Sequence, residues 1–203
     1  MAILRTGFGS PFGRKARIAV SVLGLDDKVK VEPASTQDAA DPISKQNPLG
    51  KVPVLILDDG GTLFDSPVIL EYLDMLAGGG KIIPRDTKAR FAALRLEALA
   101  DGILDASILI VYEGRYRAPE MAVQKWLDLQ AGKVARGLAA LEAAPPDLDL
   151  PPNVGQITLA CALGYRDFRF QGGWRKDYTR LVGWLDNFAQ RVPSFAATVP
   201  PAS

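Results

Sequence analysis

The feature that most constrains the fold is a break at Gly78-Gly79-Gly80. Before it, short apolar runs alternate with helix-like stretches. After it the chain is Ala/Leu-rich with helical spacing almost to the end. Ala2 to Arg5 and Val29 to Glu32 read as strands, as do Val52 to Leu57 and Thr62 to Phe64. Asp58-Asp59-Gly60-Gly61 between the last two is a hairpin signal. Pro11 to Leu23 reads as a helix ended by Gly24, a short helix is expected before Pro48, and Pro67 to Leu76 reads as a helix capped by Ser66. The order β-α-β-α-β-β-α predicts a mixed four-stranded sheet with helices upon it.

Gly78 to Arg85 reads as a linker. Beyond it helices are expected over Thr87 to Glu113, Ala118 to Ala143, Asn153 to Phe170 and Asp177 to Arg191, with Phe91, Leu94, Leu99, Ile103 and Leu109 on the apolar face of the first. Asn153 and Gln156 have capping-box spacing. A proline-rich loop spans Pro145 to Pro152, and the tail from Phe195 to Ser203 is expected to wrap the surface. Residues 1–78 and 87–203 are thus expected to be two units, α/β then all-α.

The residue inventory excludes much chemistry. The 203-residue chain has no histidine, one cysteine, Cys161, and a net charge of +1. Ser-His-Asp and Cys-His catalysis, cysteine zinc sites and intrachain disulfides are unavailable, so no metal is expected. The charge balance gives no field for nucleic acid or an anionic membrane, and Arg14, Lys15 and Arg17 read as a solvated helix face. No run reaches transmembrane length or resembles a signal peptide, so a cytoplasmic protein is expected. Cys161, in an apolar helical run, reads as a core thiol.

The loop Gly7-Phe8-Gly9-Ser10-Pro11-Phe12-Gly13 lies between the first strand and the first helix. As a dinucleotide fingerprint it fails, because Phe12 stands where the third glycine belongs and Pro11 removes an N–H donor. Too few strands follow for a doubly wound sheet. Ser10-Pro11 and Ser66-Pro67 are each good helix starts, needing no ligand to explain them.

Four motifs in order resemble the cytosolic glutathione S-transferase family, in its serine-type bacterial form. They are Gly9-Ser10-Pro11-Phe12 with Arg14-Lys15-Ala16-Arg17-Ile18; Asn47-Pro48-Leu49-Gly50-Lys51-Val52-Pro53; Leu63-Phe64-Asp65-Ser66-Pro67; and Thr158 to Tyr165 with Asp167-Phe168-Arg169. The resemblance implies a thioredoxin-like N-terminal domain, an all-helical bundle after it, and a homodimer. It implies glutathione as co-substrate, with Ser10 donating a hydrogen bond to its thiolate and a cis Val52–Pro53 bond freeing backbone groups for the cysteinyl unit. A helix N-terminus at Ser66 suits a carboxylate, Asp65 an ammonium, and Lys51 the glycine carboxylate. The expected partner is a small apolar electrophile, with Phe12, Tyr112 and Tyr116 as candidate pocket residues. Trp174 reads as pocket or core. Glutathione-dependent peroxide reduction and a non-catalytic binding role are the alternatives.

Overall fold

The computed structural model describes residues 1–201. Strands β1 (Ala2–Thr6), β2 (Val29–Pro33), β3 (Val54–Ile56) and β4 (Thr62–Leu63) form one sheet in the order β2-β1-β3-β4. β1 is parallel to β2 and antiparallel to β3; β3 is antiparallel to β4. Helices α1 (Pro11–Val22), α2 (Ile43–Gln46) and α3 (Ser66–Leu76) belong to this part. Then come α4 (Thr87–Tyr116), a 3₁₀ turn (Pro119–Met121), α5 (Gln124–Ala143), α6 (Val154–Phe170), α7 (Thr179–Arg191) and α8 (Pro193–Ala197). This is a small mixed sheet with helices, followed by a helical domain.

Several local expectations change. The strand expected from Val52 begins only at Val54, because Pro53 has no N–H to give a ladder. Asp65, not Ser66, is the N-cap of α3, and Ile69 N–H closes the first turn on the Asp65 carbonyl at 3.0 Å. The helix expected from Ala118 starts at Gln124; the segment before it forms the 3₁₀ turn on Pro119. Phe91, Leu99 and Leu109 are exposed rather than core. The Asn153–Gln156 capping box forms in both directions, at 3.1 and 2.9 Å.

The glycine-rich linker is held in place. Asp74, 5% exposed, accepts from the N–H groups of Gly80, Lys81 and Ile82 at 2.7–2.9 Å, and Ile82 and Ile83 are buried. Tail residues Phe195 and Thr198 pack on α1 through Arg14; residues 202 and 203 lie outside the described residues.

The basic run on α1 is not a solvated face. Arg14 is 3% exposed and Lys15 is fully buried. Arg14 donates to the Phe195 carbonyl at 2.6 Å, and its guanidinium carbon sits 4.0 Å from the Phe195 ring centroid. Lys15 Nζ meets Glu97 Oε1 at 3.2 Å and both Asp101 oxygens at 2.8 Å on α4. Helix α1 therefore carries its charges inward and ties the sheet domain to the helical one.

Candidate functional site

The sheet register gathers the sequence-selected residues. Arg5 pairs with Val54, so one further step along β1 and β3 sets Gly7 beside Val52. A Cβ on Gly7 would meet Val52 Cγ2 at 3.9 Å. Leu55 pairs with Leu63, so the same end of the sheet carries Pro53 and the Asp65–Ser66 corner. The loop bearing Ser10, the Val52–Pro53 step and the start of α3 thus share one end of the sheet.

Ser10 is the N-cap of α1. Its Oγ accepts from Gly13 N–H at 3.2 Å, and its own N–H donates to the Gly7 carbonyl at 2.9 Å. The hydroxyl proton stays available to an acceptor outside the helix, and Ser10 is half-buried. Gly13 lets this loop form, since a Cβ there would sit 1.7 Å from Thr6 Oγ1.

Asn47 builds the turn before β3. Its amide donates to the Lys51 carbonyl at 3.0 Å, its Oδ1 accepts from Leu49 N–H at 3.0 Å, and Gly50 takes a φ of +60°. The Val52–Pro53 peptide is cis. Among the described residues no hydrogen bond uses the N–H or C=O of Val52. Lys51 is exposed. At the start of α3 the Asp65 side chain makes no capping bond, so the first-turn amides of Ser66 and Val68 face outward without it. Asp65 is exposed and Ser66 is 2% exposed. Asp105 of α4 lies within electrostatic reach of Lys51 and Asp65; desolvation pushes its carboxyl above the ordinary value, Lys51 pulls it down and Asp65 adds to the rise.

The candidate pocket residues separate. Phe12 is half-buried against the core, with Lys15 Nζ 5.9 Å from its ring centroid. Tyr112 and Tyr116 meet edge to face at 5.3 Å. With Leu109, Val123 and Trp126 they line an open groove of about 390 Å³ formed by α4 and the start of α5. Trp174 is core: it is 3% exposed and its Nε1 donates to Asp167 at 2.8 Å. Cys161 is fully buried, and burial pushes its thiol up to about 11, leaving it no nucleophilic part.

Phe168 and Arg169 stand in the sequence only as part of a motif, with no role assigned to either, yet the end of α6 lays them against the Ser10 loop. A Cβ on Gly9 would meet Arg169 Nη2 at 3.4 Å and Phe168 Cε1 at 3.8 Å. Spacing on α6 puts Tyr165 and Arg169 on one face, but which loop that face meets is a tertiary fact. Among the described residues no group of three His, Cys, Asp or Glu side chains could hold a metal. No helix among them is long and apolar enough to cross a membrane.

Comparison with known proteins agrees with this fold. Residues 8–81 match the family model "Glutathione S-transferase, N-terminal domain", and residues 124–187 match "Glutathione S-transferase, C-terminal domain". An uncharacterized GST-like protein of Escherichia coli K12, YibF, is 36% identical over 198 residues, covering 96% of each chain. A glutathione transferase family member from Pseudomonas fluorescens, solved with bound glutathione, shares 41% identity and a TM-score of 0.89 over 99% of this chain and 100% of that one. The same organism's protein has also been solved with bound S-(propanoic acid)-glutathione. A glutathione S-transferase from Methylobacillus flagellatus with glutathione bound shares 35% identity and a TM-score of 0.92 over 99% of this chain and 100% of that one. The chain belongs to the glutathione S-transferase family.

Proposed function

We propose that this protein is a glutathione transferase in which Ser10 activates the thiol of bound glutathione for attack on an electrophile with an apolar body. The observation that carries the reading is the convergence at one end of the sheet: the Ser10 hydroxyl, the unpaired backbone of Val52 and the α3 N-terminus at Asp65–Ser66. They match glutathione group for group. The α-carboxylate goes to the first-turn amides of α3, and the ammonium to Asp65. The cysteinyl N–H and C=O pair with Val52 like an added strand. Lys51 meets the glycine carboxylate. The relatives that bind glutathione support the assignment.

A free thiol is mostly protonated at neutral pH. The Ser10 Oγ accepts from Gly13 N–H, which leaves its own proton free to be donated to a sulfur. With the positive end of α1 it stabilises the thiolate over the thiol. Lowering the thiol pKa by two units takes roughly 2.7 kcal/mol, within reach of a helix terminus and one charge-assisted hydrogen bond. The thiol proton leaves to solvent. The sulfur lone pair forms the S–C bond, and the leaving group departs with the electrons of the bond it breaks. No histidine base is required. Electrophile pocket roles fall to Tyr112 and Tyr116, which share a groove, while Phe12 packs against the core. The family member from Pseudomonas fluorescens seen with a glutathione conjugate is consistent with room beyond the sulfur.

The protein is read as a cytoplasmic homodimer, the exposed Val68, Met75 and Phe91 on α3 and α4 forming the apolar face for a second copy. The functional test is glutathione conjugation by the parent and by Ser10→Ala. The reading predicts turnover with the parent and a loss of one to two orders of magnitude in kcat in the variant, with little change in glutathione affinity. Equal turnover in both would remove Ser10 from the chemistry.

A further inference from the structure

The C-terminal end of α6 presents a cation to the Ser10 loop, and among the described residues no acid pairs with it. The Arg169 guanidinium carbon lies 4.0 Å from the Phe168 ring centroid, and its Nη2 is at the contact point with Gly9. Its Nε is buried and has no hydrogen-bond partner among the described residues. No carboxylate there lies within ion-pair distance of it. The acid beside it in sequence, Asp167, is committed to Trp174 Nε1 at 2.8 Å and to Arg175 at 2.9 and 2.6 Å. Elsewhere on the guanidinium, Arg169 is within hydrogen-bonding reach of Tyr165, which is 6% exposed and feels Arg115 and Tyr112 of α4 as well. Arg115, which is exposed, lies over Tyr112 at 5.5 Å and has no acidic partner among the described residues. A buried donor left unmet is costly. Such an arrangement is explained by an anion that arrives with a ligand.

We propose that the electrophile conjugated at this site carries a carboxylate, which Arg169 binds beside Ser10. The inference rests on the glutathione transferase reading and names its co-substrate class. A guanidinium presents a planar fork that fits the two oxygens of a carboxylate. Arg115 adds attraction from the α4 side, and Phe168 and Tyr112 are the aromatic side chains beside the two cations. Because Gly9 adjoins Ser10, an anion on Arg169 lies close to the bound sulfur. The reactive carbon is therefore only a few atoms from the carboxylate. With 4-(chloromethyl)benzoate as the electrophile, the glutathione sulfur forms a bond to the benzylic carbon. The C–Cl bond breaks, chloride leaves with its electron pair, and the thiol proton passes to solvent.

The test uses titration calorimetry on the full chain, with S-benzylglutathione and S-(4-carboxybenzyl)glutathione as probes and glutathione as reference. The parent is expected to favour the carboxylated conjugate by roughly 10- to 100-fold, the range of one charge-assisted contact. In Arg169→Gln that ratio falls toward one, and in Arg169→Lys part of it returns. The ratio of kcat/KM for 4-(chloromethyl)benzoate over its neutral amide, corrected for the uncatalysed rates, follows the same order. Absence of a preference in the parent, with glutathione and S-benzylglutathione bound, overturns this inference and leaves the transferase reading standing. Loss of both conjugates together in Arg169→Gln, with the ratio unchanged, assigns Arg169 a structural role and also overturns it. Failure of the parent to bind glutathione removes both readings.

Discussion

Replacing Lys15 with methionine removes the ammonium and keeps the buried stem. The side chain is fully buried, and its two acceptors are nearly so, with side-chain exposures of 6% for Glu97 and 17% for Asp101. Lys15→Met leaves two carboxylates facing each other without a counter-charge. Removing one partner of a buried ion pair costs about 3–5 kcal/mol. The partial exposure of Asp101 places the expectation near 3 kcal/mol at neutral pH. The cost depends on pH in a definite direction. Burial raises the Asp101 carboxyl to about 6, and Lys15 is what holds it from going higher. A carboxyl whose folded pKa exceeds its unfolded value contributes most stability below the unfolded value, and that contribution is lost as pH rises through the folded one. Without Lys15 the folded pKa climbs further, so acid protects the variant more than the parent. Urea unfolding followed by tryptophan fluorescence at about pH 7.5 and about pH 5 measures both effects. The cost of Lys15→Met should shrink at the lower pH. A cost below ~1 kcal/mol at neutral pH, or one that grows on acidification, would refute the buried-triad reasoning.

Gly13→Ala should destabilise by about 3 kcal/mol, because the new Cβ would lie 1.7 Å from Thr6 Oγ1 and 2.9 Å from Thr6 Cβ, and Thr6 is fully buried. Thr6→Ala in the same chain should recover only part of that loss; urea titration of the single and double variants decides it, and a neutral Gly13→Ala would contradict the packing. Cys161, with its thiol pushed up to about 11 by burial, should resist iodoacetamide in the native protein at neutral pH and react once unfolded in urea. Rapid native labelling, read by mass spectrometry, would show that the α6 core opens.

What the sequence made readable was local. Ser10-Pro11, Asn153 with Gln156, and the Asp58 to Gly61 turn announce themselves because each motif satisfies its own backbone groups within four residues. The gathering of Val52–Pro53 and Asp65–Ser66 beside Ser10 was legible through resemblance, and the sheet register supplies its physical basis. What stayed hidden depended on partners far along the chain. Arg14 and Lys15 looked like a solvated face because their partners, Phe195 and the acids Glu97 and Asp101, are 82 or more residues away. Arg169 was hidden for the same reason: α6 reaches Gly9 only after the two domains pack. Phe91 looked like core because periodicity reveals an apolar face and not whether it is covered. The cap of α3 falls on Asp65 rather than Ser66 without any side-chain capping bond, so the residue type that marks a cap in sequence does not act as one there.

The central claim is that Ser10 lowers the pKa of a thiol bound beside it. The most direct measurement is the ultraviolet thiolate absorbance of glutathione bound to the parent and to Ser10→Ala across pH. The account predicts a thiol pKa lowered by about two units in the parent, and a return toward the free value of about 8.5 in the variant with glutathione still bound. An unshifted thiol in the parent, or the same lowered value in both proteins, would contradict it.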